Sequence, residues 1–150
     1  MANSVTGGGQ KVYTAIELSK YIVSKCVDEY CPISNLQLQK ILYYIQKTYL
    51  RREDMAFPDY IEAWQFGPVV PNVYYYFCGF GAMPITASYN IFIEPEDAEI
   101  IDKIVEEKRK LEPWDLVAET HKPDGAWSRT YKDGEGNRKP IPKELIKTAG

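Results

Sequence analysis

Residues 62–77 read EAWQFGPVVPNVYYYF, and this stretch decides the class of fold. Residues 60–66 are aromatic and β-branched with alternating character, which predicts a short strand that ends at Gly67-Pro68. Pro71 suits the first turn of a helix and Gly79 lies just beyond its end, so a short tyrosine-rich helix follows. A strand, a turn and a helix therefore share one short segment, and the chain is not purely helical.

Two capped amphipathic helices precede this segment. TAIE at residues 14–17 and SNLQ at residues 34–37 are capping-box patterns, which mark helix starts. Apolar residues then recur at helical spacing, and the two helices are predicted to stop near Pro32 and Arg52. The first stripe contains Ala15, Leu18, Ser19, Ile22, Val23, Cys26, Val27 and Tyr30. The second stripe contains Leu38, Ile41, Leu42, Ile45 and Tyr49.

The second half of the chain is also mostly helical. Residues 85–93 predict an extended segment or an irregular strand, and acidic residues around Pro95 begin a fourth helix. Pro113 begins a fifth helix that extends to about Glu119, and Pro142 opens a last short one. The inward face of the fifth helix is predicted to comprise Trp114, Val117 and Ala118. The predicted fold is mainly α (α+β), a compact bundle of about five to six helices with a short β-strand or hairpin.

Composition sets the domain organisation and excludes several classes of protein. Residues 1–12 are predicted to form a flexible leader and residues 13–150 a single domain. No apolar run approaches the ~20 residues that cross a bilayer. Three cysteines without a CxxC pair favour a reducing, cytoplasmic setting. The net charge of -3, with blocks of alternating sign, argues against nucleic-acid binding and favours a protein partner.

No residue pattern identifies a catalytic, cofactor or metal site. His121 is the only histidine, and a structural role, bonding a helix end or a buried carbonyl, is the interpretation we prefer over catalysis. A zinc site built from His121 and the three cysteines matches no known ligand spacing. The sequence therefore predicts a protein that is not an enzyme and binds neither cofactor nor metal.

The tyrosine-rich helix predicts a contact surface. Three consecutive tyrosines point about 100° apart on a helix, so they cannot all be buried. Tyrosine supplies many interface anchors, although core rings with polar tips in water are the alternative explanation. The candidate partner-binding residues are Tyr74, Tyr75, Tyr76 and Phe80.

An ordered series of motifs runs along the chain: LQLQKILYY at residues 36–44, EAWQFGPVVPNVY at residues 62–74, Phe80-Gly81, Thr120-His121, Gly125-Ala126-Trp127 and Ile141-Pro142. This series resembles the Panacea domain, the SocA-like (GepA-like) family of phage- and plasmid-associated proteins. The resemblance extends from about Tyr13 to Ile146, and at Ala126 the family typically has proline. It assigns a structural role to its motif residues. These are Leu38, Gln39, Lys40, Tyr43, Tyr44, Glu62, Trp64, Gly67, Pro68, Pro71, His121 and Trp127.

The resemblance implies a mostly helical cytoplasmic protein that is the antitoxin half of a toxin-antitoxin pair. Such a protein neutralises its cognate toxin by contact, and in one branch it also delivers the toxin to a Clp-type protease. Two alternatives remain: a phage-encoded anti-defence protein that inhibits a host nuclease, as anti-CRISPR proteins do, and an uncharacterised enzyme. The adjacent gene discriminates between the antitoxin and the anti-defence protein. A small toxic reading frame beside this gene favours the antitoxin, whereas a cluster of anti-defence genes favours the inhibitor.

Overall fold

The structure, a computed structural model, describes residues 12–150. In this range the chain forms seven α-helices and a small antiparallel sheet, which confirms the mainly helical α+β prediction and exceeds the five or six helices expected. The predicted leader, residues 1–12, lies outside the described residues except for Val12. The helices are α1 (Ala15–Asp28), α2 (Asn35–Arg51), α3 (Pro71–Tyr76), α4 (Pro95–Lys108), α5 (Pro113–Thr120), α6 (Ala126–Tyr131) and α7 (Lys143–Ala149). The strands are β1 (Glu62–Trp64), β2 (Gly67–Val69) and β3 (Lys139–Pro140).

Both predicted capping boxes are present. The Thr14 hydroxyl accepts a hydrogen bond from the Glu17 amide at 3.1 Å, and the Glu17 carboxylate accepts one from the Thr14 amide at 2.9 Å. Ser34 and Gln37 make the same reciprocal pair at 3.2 and 2.9 Å. Because each box satisfies two otherwise unpaired backbone donors, the starts of α1 and α2 are set by local sequence.

Helix α2 is the centre of the molecule. It contacts α1, α3, α4, α5, α7 and β2. Its predicted apolar stripe is buried, and Gln39 and Lys40, which the stripe excludes, are buried as well. A helix surrounded on several sides buries polar residues together with apolar ones, and each buried polar group then needs a partner. Gln39 and Lys40 are the first residues of the candidate site.

The prediction that Gly67-Pro68 ends a strand is wrong. The chain reverses through Gln65 and Phe66, and Gly67 begins β2, which pairs antiparallel with β1 in the register Glu62↔Val69, Ala63↔Pro68 and Trp64↔Gly67. The strand order β2-β1-β3 places β2 at the sheet edge. Proline is tolerated there because the outer side of an edge strand needs no ladder donor.

Three predicted core positions are also wrong. Tyr30 was expected to complete the stripe of α1, but the helix ends at Asp28 and Tyr30 is 94% exposed. In α5 the buried residues are Leu116, Val117 and Thr120, whereas Trp114 and Ala118 are exposed. Trp114 and Ala118 are four residues apart, so they share the outer face of the helix.

Residues 85–93 form no regular strand in the described chain, and isolated hydrogen bonds hold them in place. The Ile85 amide donates to the Ile33 carbonyl at 2.8 Å, and the Tyr89 amide donates to the Ser24 hydroxyl at 2.6 Å. Helix α6 was not predicted, because six residues are too few to show a helical repeat. Ala126 occupies its first position, where proline is favoured, so either residue suits this helix start.

Candidate functional site

A cavity of about 650 Å³ lies where α2, the β1–β2 hairpin and the start of α5 meet. Its size is typical of ligand and side-chain binding sites. Its aromatic lining comprises Trp64, Phe66, Tyr74 and Trp114. Its polar lining comprises Ser34, Asn35, Gln39, Lys40, Gln65, Asn137 and Arg138. Two cations therefore line this cavity, and the described lining includes no Asp or Glu.

Lys40 reaches this region from α2 and is inaccessible to solvent. Its ammonium donates one hydrogen bond, to the Pro68 carbonyl at 3.3 Å. An ammonium has three donors, and none of the ion pairs found in residues 12–150 includes Lys40. Burial disfavours the charged form and lowers the Lys40 pKa to about 7. The amine therefore loses its proton more easily than the amine of an exposed lysine.

Gly67 allows the hairpin to lie against this amine. Its φ is +119°, a backbone conformation that L side chains rarely adopt. A Cβ at this position would come within 2.8 Å of Lys40 Cε and 3.0 Å of the Thr120 hydroxyl. Glycine is needed here both for the backbone conformation and for the close approach of α2 and α5 to the strand.

A chain of amide groups connects α2 with the segment that leads into α3. The Asn35 side chain donates to the Tyr74 carbonyl at 3.0 Å, and Gln39 donates to the Asn35 oxygen at 2.9 Å. The Gln39 oxygen in turn accepts from the Val70 amide at 2.8 Å. These bonds satisfy buried polar groups and fix the position of the aromatic helix at the cavity edge.

Arg138 forms part of the cavity rim. Its guanidinium carbon lies 4.1 Å from the centre of the Trp64 ring, and Nη1 donates to the Tyr75 hydroxyl at 2.9 Å. The Trp64 indole N–H donates to the Glu62 carboxylate at 2.9 Å. The Arg138 backbone has φ 67°, and its amide donates to the Ala63 carbonyl at 2.6 Å. The backbone of Arg138 is thus anchored to β1 in a left-handed conformation, and its guanidinium lies over the indole.

His121 and Trp127 support the hairpin from the other side. The two rings stack with centroids 3.7 Å apart, and the Trp127 indole N–H donates to the Trp64 carbonyl at 2.7 Å. His121 bonds the Phe66 backbone, and its Nε2 is buried with no hydrogen-bond partner in the described chain. Burial and the Lys40 charge hold the His121 pKa below its usual value, so the imidazole is neutral at pH 7.

The sequence profile of the SocA-like antitoxin family, Panacea domain, matches residues 38–128. The chain belongs to this family. Antitoxin SocA of Caulobacter vibrioides (strain NA1000 / CB15N) is 32% identical over 110 residues, which cover 64% of this chain and 58% of that protein. The aligned region thus spans less than two thirds of that relative's length. No solved structure matches the chain.

The Panacea motif residues fall into two groups in this structure. One group packs around Lys40 and the hairpin: Gln39, Lys40, Glu62, Trp64, Gly67, Pro68, His121 and Trp127. The other group contributes to the helical core or starts a helix: Leu38, Tyr43, Tyr44 and Pro71. Arg138 lies outside the profile match. The first group brings together residues that are up to 88 positions apart in the sequence.

The four predicted partner-binding residues occupy different environments. Tyr74 is half-buried in the cavity lining, and Tyr75 is 53% exposed beside Arg138. Tyr76 is exposed on another side, where Lys20 lies over its ring. Phe80 is partly buried against the core. The structure thus brings Tyr74 into the cavity lining and Tyr75 next to Arg138, which is part of that lining.

Two exposed aromatic residues of the cavity lining, Phe66 and Trp114, were not predicted as site residues. Phe66 and Trp114 contact each other edge to face, with ring centroids 5.5 Å apart, and are 48% and 62% exposed. They line the cavity on the side of α5. The helical spacing read in α5 placed Trp114 on the inward face of the helix. The predicted strand included Phe66, which lies in the hairpin turn instead. No sequence signal pairs them, because 47 residues separate them.

The described residues include no group of three or more His, Cys, Asp or Glu side chains that could hold a metal ion. Cys26 is buried in α1, Cys31 follows it, and Cys78 is exposed. In the same range no helix combines the length and the apolarity that a membrane crossing requires. The cavity lining presents aromatic faces and two basic side chains.

Proposed function

We propose that this protein is an antitoxin that neutralises a cognate toxin by direct, stable contact in the cytoplasm, without catalysing a reaction. Membership of the SocA-like Panacea family is the observation that carries this proposal. The relative named Antitoxin SocA supports it over the aligned region. The toxin is the product of the gene that accompanies this one.

We place the main contact at the aromatic rim of the cavity. Phe66, Tyr75 and Trp114 are each about half exposed, and Arg138 lies between Trp64 and Tyr75. Tryptophan, tyrosine and arginine are the residues that most often dominate binding energy at interfaces. Large apolar side chains that are exposed next to a concave site are typical of a surface that binds another protein.

Co-expression with the product of the adjacent gene tests the proposal. We expect that product to arrest growth when expressed alone, and we expect this protein to restore growth and to co-purify with it as a complex. A product that is harmless alone and forms no complex would contradict the antitoxin assignment. If this protein instead co-purifies with a host defence nuclease and blocks cleavage, the anti-defence function replaces it.

Variants of the rim test where the contact lies. Tyr75→Ala and Trp114→Ala should each raise the Kd for the toxin by about 10-fold or more, since truncated interface anchors often cost ~2 kcal/mol or more. Tyr30→Ala is the matched control, because Tyr30 is 94% exposed and is not part of the cavity lining. Equal effects of all three variants would place the contact elsewhere.

The lifetime of the toxin tests the additional adaptor role. If the protein delivers the toxin to a Clp-type protease, toxin half-life in cells will shorten when both proteins are present, and deletion of the protease will restore it. If it neutralises by contact alone, the toxin will persist in the complex and growth will recover without its degradation.

A further inference from the structure

The lining of the 650 Å³ cavity is basic within an acidic protein. Lys40 and Arg138 line it, and its described residues include no Asp or Glu, although the chain as a whole has a net charge of -3. The hairpin segment itself supplies no cation, because residues 53–93 contain four acidic residues and neither Lys nor Arg. Both positive charges therefore come from other parts of the chain, α2 and the turn before β3.

Neither cation is paired with a carboxylate. The ion pairs found among residues 12–150 involve other residues. Lys40 bonds only the Pro68 carbonyl, and Arg138 bonds the Tyr75 hydroxyl and lies over Trp64. The nearby carboxylate of Glu62 accepts from the Trp64 indole instead. Buried lysines are normally paired, so an unpaired one beside a cavity is a feature that stability does not explain.

We propose that the cavity binds an acidic side chain of the toxin, with Arg138 contacting the carboxylate and Lys40 attracting it from the cavity wall. This inference rests on the proposed function and names the chemistry of the partner at that site. The guanidinium has five donors, and one of them is used on Tyr75. The Lys40 side chain is inaccessible to solvent, so it attracts the carboxylate through its electric field rather than by direct contact. Such a field is stronger where water is excluded.

The aromatic residues of the cavity lining indicate which kind of residue lies next to the acidic one on the toxin. A carboxylate fills only a small part of 650 Å³, and the rings of Trp64, Phe66 and Trp114 line the rest. An aliphatic or aromatic side chain next to the acid on the toxin would pack against those rings. The occupant is therefore a toxin segment in which an Asp or Glu adjoins a large apolar residue.

Two charge-removing variants and one control test the inference. Lys40→Met keeps a linear side chain of similar length, and Arg138→Asn suits a backbone at φ 67°, which asparagine tolerates better than most residues. Each should raise the Kd for the purified toxin by about 10-fold or more, measured by titration calorimetry with the full-length chain. Lys139→Gln is the control, because Lys139 is exposed, adjoins Arg138 and is not part of the lining, and its Kd should stay within about 2-fold of wild type.

Acid-to-amide variants of the toxin identify the occupant. One Asp or Glu should show an effect that is not additive with Arg138→Asn in a double-mutant cycle, whereas distant pairs should be additive. If Lys40→Met does not fold, Arg138→Asn alone decides. Unchanged Kd values for the charge variants, with Tyr75→Ala and Trp114→Ala still weakening binding, would overturn this inference and leave the proposed function standing. A wild-type protein that neither binds nor neutralises the toxin would overturn the proposed function itself.

Discussion

The ammonium of Lys40 lies directly against Gly67, so that a Cβ on Gly67 would come within 2.9 Å of Nζ. The two residues belong to different elements, α2 and β2, and the hydrogen bond from Lys40 to the Pro68 carbonyl connects the same pair of elements. The backbone conformation of Gly67, at φ +119°, and the close contact with this amine both favour glycine as the first residue of the second strand.

Gly67→Ala should destabilise the protein by about 2 kcal/mol or more. A non-glycine residue at φ +119° carries backbone strain of order 1–3 kcal/mol, and the added methyl group also collides with Lys40. Urea denaturation at constant pH measures the change in the free energy of unfolding.

Two other glycines separate these contributions. Gly81→Ala places a Cβ at φ +58° with no atom within 4 Å, so it reports backbone strain alone. Gly79→Ala should introduce neither backbone strain nor a close contact, so it should change the free energy of unfolding by less than about 0.5 kcal/mol. Equal losses for Gly67→Ala and Gly81→Ala would show that the contact with Lys40 is unimportant.

Lys40→Met should change the pH dependence of stability. The Lys40 pKa is about 7 in the folded protein and 10.5 when unfolded, so between these values the unfolded chain binds more protons. The free energy of unfolding of the wild type therefore rises with pH across this window. The stability that deprotonation of Lys40 contributes at high pH is lost as pH falls towards and through 7. We expect the variant to be more stable at pH 6, with the difference shrinking by about 1 kcal/mol per pH unit from pH 7 to 9.

Chemical denaturation of both proteins at pH 6, 7, 8 and 9 measures this difference. The comparison cancels other groups that titrate in the window, such as Cys26, whose pKa is raised by burial. Parallel stability curves for the two proteins would show that the Lys40 amine keeps its ordinary pKa.

The titration of His121 reports the same charge. It is the only histidine, so its imidazole proton gives one resolvable NMR signal. Burial first and the Lys40 charge second lower its pKa below 6.5. Stability contributed by the neutral imidazole is therefore lost as pH falls through the folded pKa. In Lys40→Met the His121 pKa should rise but stay below 6.5, because burial persists. A pKa that is unchanged by the substitution would show that the two groups do not interact.

Trp64→Ala and Trp114→Ala should differ in their effect on stability. Trp64 is half-buried between Tyr74 and Arg138, so its loss should cost about 2 kcal/mol, below the ~3–5 kcal/mol of a fully buried ring. Trp114 is 62% exposed, and its loss should stay within about 0.5 kcal/mol. Thermal melts distinguish them, and an equal loss for both would place Trp114 in the core.

Local patterns predicted most of the helical fold. The capping boxes at Thr14 and Ser34 place two helix starts, because their partners are three residues away and need no other part of the chain. The prolines at 71, 95 and 113 mark three more starts in the same way. A strand or hairpin was expected in this segment, but the register of the hairpin was not, since Gly67 begins β2 through pairing with Trp64, and pairing is not a local property.

The candidate site depended on tertiary structure. Sequence patterns alone identified the motif residues, including Lys40, Trp64 and His121, and showed that a run of three tyrosines exposes at least one ring. Only the fold decided that Lys40 would be buried against Gly67 without a carboxylate, and that Arg138 would lie over Trp64, 74 residues away. Periodicity reports which face of an element is apolar. Burial of a charge and contact between distant side chains depend on how several elements pack together, which no local pattern encodes.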